Sequence, residues 1–144
     1  MSAHVAVLMG GWSAEREVSL TSGRTCALAL RGAGYRVTEI DVDETLTHRL
    51  SGLKPDVVFN ALHGRWGEDG CVQGLLELLR LPYTHSGVRA SAIAMHKPSS
   101  LEVFRAHGIP CAESCLTTPA AVNAKDPMDR PYVVKPPAEG STFG

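Results

Sequence analysis

The chain has 144 residues, of which 44% are hydrophobic and 20% are charged, and its formal net charge is −1 at pH 7. This composition is typical of a globular protein with enough apolar side chains for one compact domain or one and a half. Because no apolar run is long enough to span a membrane, positive and negative charges are evenly mixed and no signal-peptide pattern is evident, we expect a cytoplasmic protein without membrane or nucleic-acid partners.

The amino-terminal part of the sequence predicts alternating strands and helices. Short, almost continuously apolar segments predict buried parallel strands at residues 4–9, 35–42 and 56–62. Residues 15–30 predict a helix that ends at the glycines that follow it. A second helix is indicated by apolar residues at i, i+3, i+4 and i+7, namely Val72, Leu75, Leu76 and Leu79. This alternation predicts an α/β fold, an open parallel sheet with helices on both faces.

A second region begins near Lys97. Pro98 is suited to the first turn of a helix, which Gly108 would end. We then predict a strand at residues 111–117, a short helix that begins at Thr118-Pro119, and another strand at residues 132–135.

The four cysteines show no C-x-x-C spacing. They are Cys26, Cys71, Cys111 and Cys115. This spacing argues against a zinc site or a redox pair. We expect the four side chains to be small buried hydrophobic groups.

Two carboxylates follow the first strand, in residues 10–19 (GGWSAEREVS). The glycines match neither the dinucleotide-binding pattern nor a phosphate-binding P-loop. Ligands bind at the carboxyl ends of strands in open α/β sheets, which makes Glu15 a candidate site residue. The alternative is that Glu15 and Glu17 only stabilise the dipole of the following helix.

The third strand is followed by residues 60–70 (NALHGRWGEDG), which contain three glycines and four ionisable side chains within a short loop. Glycines allow backbone N–H groups to approach an anion, and His63 is able to donate to a carboxylate or a phosphate. The alternative is a tight connecting loop with a surface histidine.

A lysine ends the last predicted strand, and a glycine-flanked polar turn follows it. Lys135 together with Gly140, Ser141 and Thr142 would provide a positive charge, backbone donors and hydroxyl groups for a phosphate. The alternative is a lysine that extends into solvent.

Taken together, these segments closely resemble the amino-terminal part of the D-alanine–D-alanine ligases, which belong to the ATP-grasp superfamily. The matching segments are residues 10–19, residues 61–70, residues 81–90 (LPYTHSGVRA), Met95-His96-Lys97 and residues 134–144 (VKPPAEGSTFG). The resemblance implies a Rossmann-like substrate-binding domain at residues 1–95 and an incomplete ATP-grasp small subdomain at residues 96–144.

The resemblance also implies an activity. These ligases use ATP to phosphorylate the carboxylate of one D-alanine, and the amine of a second D-alanine attacks the acyl phosphate. The product is the D-alanyl-D-alanine of peptidoglycan synthesis. Sibling enzymes that make D-Ala–D-lactate or D-Ala–D-serine, and a catalytically inert binding or dimerisation fragment, remain alternatives.

Several residues match functional positions of these ligases. Glu15 matches the catalytic glutamate that holds the first ammonium group and hydrogen-bonds to the motif serine, here Ser141. Val18 would lie near the substrate methyl group and His63 near its carboxylate. The nucleotide-binding positions are Lys97, Lys135, Gly140, Ser141 and Thr142. The resemblance further implies a homodimer that uses ATP and Mg²⁺.

The chain departs from the family in two respects. His96 replaces an aspartate, and Leu101 stands where the family has a second lysine; we expect His96 to cap the following helix less well than aspartate. Family members are about twice as long, and their carboxyl-terminal half carries the Mg²⁺-binding carboxylates. We therefore expect no metal ligand in this chain and no ligase activity from these residues alone.

Overall fold

The computed structural model describes residues 2–139, which include a three-stranded parallel sheet with helices on both faces. Its strands are β1 (His4–Met9), β2 (Arg36–Asp41) and β3 (Val57–Asn60), in the order β2-β1-β3. The register places Val5 beside Val37 on one side and beside Val57 on the other. β1 is therefore the central strand, and every one of its residues is buried.

Six helices follow the chain order within residues 2–139. They are α1 (Arg16–Gly32), α2 (Leu46–Leu53), α3 (Cys71–Leu78), α4 (Val88–Met95), α5 (Lys97–Ala106) and α6 (Pro119–Ala124). α1 packs on one face of the sheet, where Leu20 and Ala27 meet Val5 and Val7 of β1. α2 and α3 pack on the other face, around a cluster that includes Leu8, Leu50 and Leu76. This arrangement confirms the predicted α/β architecture.

Glycines end two of the predicted helices as the sequence indicated. After α1, Gly34 lies in the left-handed region with a φ angle of +89°. Its N–H donates to Arg31 O at 3.0 Å, and the next N–H, of Tyr35, donates to Leu30 O at 3.1 Å. This is the Schellman pattern, which satisfies the last carbonyls of a helix. Gly108 ends α5 in the same way, with a φ angle of +70°.

The structure differs from the prediction in four elements. Helices α2 and α4 were not predicted; α2 does carry an apolar stripe, Leu46, Leu50 and Leu53, that packs in the core, and this signal was missed. Residues 111–117 and 132–135 form no regular strand. Strands need a partner for their backbone hydrogen bonds, and the described residues offer these two segments none.

The expectation for the cysteines was wrong. Cys71 and Cys115 are exposed, and Cys26 and Cys111 are only partly buried. Cys71 is the first residue of α3, and the other exposed thiol, that of Cys115, lies in the irregular segment before α6. All four are free thiols.

Within residues 2–139, no helix combines the length and the apolar character that crossing a membrane would require.

A buried histidine at the start of β1 makes the stability of the sheet dependent on pH. His4 is 3% exposed, and its Nε2 lies 2.8 Å from Thr38 Oγ1. Burial, together with the nearby charge of Arg36, lowers the pKa of His4 below its ordinary value of 6.5, although Asp56 opposes the shift. A histidine with a lowered pKa favours folding in its neutral form.

We therefore expect the free energy of unfolding to fall as the pH drops below 6.5, because the unfolded chain then binds a proton that the folded chain resists. The His4→Gln variant should lose part of this pH dependence in urea unfolding. The matched control is His48→Gln, since His48 is exposed. An identical pH profile for wild type and His4→Gln would contradict the assignment.

Candidate functional site

The loop between β1 and α1 turns sharply at two glycines and is held by a buried serine. Gly10 and Gly11 have φ angles of +75° and +77°, which glycine adopts readily. The Ser19 hydroxyl accepts a hydrogen bond from Gly10 N at 2.9 Å and donates to Ala61 O at 2.7 Å. Ser19 therefore connects the carboxyl ends of β1 and β3.

This loop places Glu15 at the amino terminus of α1. Glu15 is the N-cap residue and is only 7% exposed. Its backbone N–H donates to Ser13 Oγ at 3.1 Å, and Ser13 Oγ donates to His63 O at 2.7 Å. A Cβ on Gly64 would lie 2.7 Å from Glu15 Oε2, so the absence of a side chain at Gly64 allows the two loops to meet.

His63 lies on the second loop, directly after β3. The His63 ring is partly buried, and its Nδ1 is 3.0 Å from Ala61 O. A carbonyl oxygen only accepts hydrogen bonds, so Nδ1 carries a proton and donates. Nε2 is then an acceptor in the neutral ring and a donor in the charged ring. This arrangement suits His63 to contact a carboxylate when the ring is protonated.

The rest of the second loop is stabilised by its own acidic side chains. Gly64 N donates to Glu68 Oε2 at 2.6 Å. Burial of Asp69 would raise its pKa, but the N–H groups of Trp66 and Cys71 donate to its carboxylate and hold the pKa below the ordinary value. The carboxylate of Asp69 therefore fastens the loop to the start of α3.

A cleft of about 470 Å³ lies where these two loops meet α4 and α5. Glu15, His63 and Lys97, three residues singled out from the sequence, all line it. The other lining residues are Gly67, Glu68, Gln73, His85, Ser86, Ala90, Ser91, Ala94, Met95 and Glu139. The lining thus combines carboxylates, imidazoles and one lysine ammonium group, which are the types of group that bind a small zwitterion with an adjacent anionic group.

Lys97 begins α5 and contacts the segment that follows residue 136. Its Nζ donates to Glu139 O at 2.5 Å, and its backbone N–H donates to Pro137 O at 2.8 Å. His96 caps α5 through its Nδ1, which accepts from Ser99 N at 3.4 Å. The hydrogen bond to the backbone is long, and the same Nδ1 lies 2.8 Å from Ser99 Oγ.

The other residues predicted for the site lie elsewhere or outside the described part of the chain. Val18 is on α1 with 53% of its surface exposed and does not line the cleft. Lys135 is exposed and also lies outside the lining. The residues Gly140, Ser141 and Thr142 are beyond residues 2–139, which the structure describes.

The cleft also contains residues that the sequence analysis did not single out as ligands. Gln73, His85, Ser86 and Ser91 line it. His85 and Ser86 follow a single parallel bridge between Val58 and Tyr83, which brings their segment alongside β3. The segment 81–90 was part of the resemblance, but its position beside β3 depends on pairing across 25 residues of sequence. Within residues 2–139 no group of three or more His, Cys, Asp or Glu side chains is arranged to hold a metal ion.

Comparison with known proteins finds similarity to one family of ligases. A family model described as the D-ala D-ala ligase N-terminus matches residues 46–86. The D-alanine–D-alanine ligase of Parvibaculum lavamentivorans is 64% identical over 98% of this chain, and that of Ruegeria pomeroyi is 65% identical over 97%. In both cases the match covers 46% of the relative. The chain therefore spans about half the length of these curated relatives.

Solved structures give the same result for the fold. The D-alanine–D-alanine ligase of Bacillus anthracis superimposes with a TM-score of 0.80 and 32% identity, over 99% of this chain and 48% of that chain. The same ligase complexed with ATP superimposes with a TM-score of 0.78 and 31% identity, over 96% and 48%. The similarity extends along nearly the whole chain.

Proposed function

Because the chain belongs to the D-alanine–D-alanine ligase family, whose amino-terminal half it matches, we propose that it forms part of an ATP-dependent ligase. The reaction joins two D-alanines into D-alanyl-D-alanine through a D-alanyl phosphate, for peptidoglycan synthesis. The observation that carries this proposal is the convergence of Glu15, His63 and Lys97 on one cleft. Glu15 and His63 follow the carboxyl ends of β1 and β3, where open α/β sheets bind ligands, and Lys97 enters the cleft from the start of α5.

The amino-acid site is the part of the cleft between the two loops. Glu15 would accept hydrogen bonds from the ammonium group of the first D-alanine, and its burial strengthens such a charged contact. In its doubly protonated form His63 would donate from Nε2 to the substrate carboxylate, while Ala61 O accepts from Nδ1 and orients the ring. Val18 is exposed on α1 and does not line the cleft, so we do not assign it to the pocket for the substrate methyl group.

The nucleotide site would lie beside Lys97. The ammonium group of Lys97 hydrogen-bonds the carbonyl of Glu139, directly before Gly140. We assign Lys97, Lys135 and the backbone and hydroxyl groups of Gly140, Ser141 and Thr142 to the nucleotide, with Ser141 as the hydrogen-bonding partner of Glu15. Phosphoryl transfer depends mainly on positioning and on charge stabilisation, which lysines and backbone donors supply. A relative of known structure is complexed with ATP.

Mg²⁺ is proposed as the metal cofactor of the whole enzyme. It would neutralise charge on the phosphates of ATP. We propose that its protein ligands lie in the half of the ligase that this chain does not span. The residues of this chain bind and orient the amino acid and the nucleotide.

We further propose a domain boundary near residue 95. Supporting this division, α5 and α6 contribute no buried residue, whereas α1, α2, α3 and α4 each contribute at least one. Residues 1–95 would form the substrate-binding domain, and residues 96–144 would begin the ATP-grasp small subdomain. The whole protein is proposed to act in the cytoplasm as a homodimer.

The test is phosphate release by the complete gene product that contains these residues, with ATP, Mg²⁺ and D-alanine. We expect turnover that requires D-alanine. Formation of a depsipeptide with D-lactate, or of D-Ala–D-Ser in preference to D-Ala–D-Ala, would move the assignment to a sibling ligase. Absence of turnover with every acceptor would favour an inert binding or dimerisation fragment and contradict the proposal.

Removing the ammonium group of Lys135 should weaken nucleotide binding selectively. In the complete gene product, Lys135→Ala is expected to weaken ATP binding about tenfold or more, equivalent to about 1.4 kcal/mol, with little change for D-alanine. The measurement is calorimetric titration with each ligand. Lys125→Ala is the matched control, because Lys125 is also exposed and lies at the end of α6. Equal losses for ATP and D-alanine would indicate a folding defect instead, and unchanged ATP affinity would contradict the assignment of Lys135.

A further inference from the structure

The only two tryptophans of the chain meet outside the cleft. Trp12 is on the β1–α1 loop and Trp66 on the β3–α3 loop, with 58% and 41% of their surfaces exposed. Their rings are edge to face, with centroids 6.5 Å apart and an angle of 80° between the planes. The Arg65 guanidinium carbon lies 4.4 Å from the centre of the Trp66 ring. We call this group of Trp12, Arg65 and Trp66 the tryptophan clamp.

The backbone at Trp66 indicates that this side chain has a role. Its φ angle is +74°, in the left-handed region that glycine adopts readily and bulky residues rarely do. The backbone hydrogen bonds at this position, Trp66 N to Asp69 Oδ2 and Val72 N to Trp66 O, would form equally well with glycine. A strained residue persists where its surroundings compensate for the strain. Here the contacts that glycine would lose are those with Trp12 and Arg65.

The tryptophan clamp connects the same two loops that carry the predicted amino-acid ligands. Trp12 precedes Ser13, which hydrogen-bonds the carbonyl of His63 at 2.7 Å and receives the N–H of Glu15 at 3.1 Å. Trp66 follows His63 by three residues. Neither tryptophan lines the cleft that contains Glu15 and His63. Among the contacts that join the loops are the hydrogen bond from Ser13 to His63 beside the cleft and the aromatic contact on the outer surface.

We propose that the tryptophan clamp is a positioning device for the amino-acid site. By holding the two loops together, it keeps the carboxylate of Glu15 and the imidazole of His63 at the spacing that one zwitterionic amino acid spans. This inference rests on the proposed function and adds that binding of the amino acid and binding of the nucleotide depend on different segments. Lys97 and Lys135 lie on other segments, so the clamp affects the amino acid and leaves the nucleotide unaffected.

The test compares Trp12→Ala, Trp66→Gly, the double variant and the conservative Trp12→Phe in the complete gene product. Each of the first two should raise the KM for the first D-alanine about fivefold, with kcat and the KM for ATP changed by less than about twofold. The double variant should be no worse than either single variant, because both remove the same contact. Trp12→Phe should restore most of the affinity, since a phenyl ring still offers an edge or a face.

Trp66→Gly separates positioning from stability. Glycine relieves the left-handed backbone strain, so we expect its urea midpoint to equal or exceed that of wild type while its KM for D-alanine rises. The near-ultraviolet circular dichroism signal that arises from the interaction between the two indole rings should be lost in both Trp12→Ala and Trp66→Gly. If Trp12→Ala and Trp66→Gly are active and their KM for D-alanine is unchanged, this inference is wrong, while the proposed function still stands. Absence of turnover in wild type would instead overturn the proposed function.

Discussion

Replacing Gly67 by alanine is expected to lower the free energy of unfolding by about 2–3 kcal/mol, the size of effect that overpacking of a buried site produces. Gly67 is buried, and a Cβ built on it would overlap Cβ of Leu62 and lie 3.0 Å from the Leu62 carbonyl carbon. Backbone atoms cannot rotate away as the end of a long side chain does, so the loop has to move.

Movement of this loop would break two further interactions. The carbonyl of Gly67 accepts hydrogen bonds from Asn60 Nδ2 and from Gln73 Nε2, each at 2.8 Å. Both amides are almost fully buried. Buried donors that lose their acceptor destabilise the folded state. A shift at Gly67 therefore affects β3 and α3 together.

Urea unfolding of Gly67→Ala measures the loss, and the same chain offers a matched control. Gly74 lies within α3, and a Cβ built there meets no atom within 4 Å. Gly74→Ala should therefore raise stability by about 0.5–1 kcal/mol through its helix propensity. Equal stability of the two variants would show that the loop accommodates a methyl group and that the packing described here is wrong.

The second large effect is expected on substrate binding. In the complete gene product, Glu15→Gln should raise the KM for the first D-alanine about tenfold to a hundredfold, because it weakens a charge-assisted hydrogen bond worth about 1.5–3 kcal/mol. The fold should persist, since the loss of a charge at a helix amino terminus costs only about 0.3–1 kcal/mol. Steady-state kinetics with each substrate varied in turn measures the change.

Glu17→Gln is the control that separates substrate binding from the helix dipole. Glu17 lies in the first turn of α1 and is exposed, whereas Glu15 is buried at the cleft. Both carboxylates interact with the same dipole. If the two variants have the same kinetics, Glu15 acts only on the helix, which is the alternative that the sequence left open.

The sequence was sufficient to predict elements whose signals are local. β1 is an uninterrupted apolar run, and its predicted bounds agree with the structure. α1 and α5 end where glycines permit the left-handed turn. Thr118 caps α6 by accepting from Ala121 N at 3.3 Å, as its position before a proline indicated.

The remaining features depend on contacts between distant residues. Whether residues 111–117 and 132–135 form strands depends on a partner strand, which local composition does not reveal. The position of His85 in the cleft requires the bridge between Val58 and Tyr83. The left-handed conformation of Trp66 opposes its intrinsic preference, so no local rule predicts it. Glu15, His63 and Lys97 were identified because each follows a strand or begins a helix within a recognisable family segment.

The central position of β1 has a consequence for synthesis on the ribosome. The strand that is paired on both sides is the first to leave the exit tunnel, while β2 and β3 follow it in the chain. Its apolar side chains therefore stay exposed until β2 and β3 are synthesised, since each parallel pairing requires an intervening crossover helix. During that interval the nascent chain exposes an apolar segment, and such segments aggregate readily and are bound by chaperones. The waiting time ends once residues up to Asn60 have emerged, so the pace of translation between β1 and β3 governs how long the segment is at risk of misassembly.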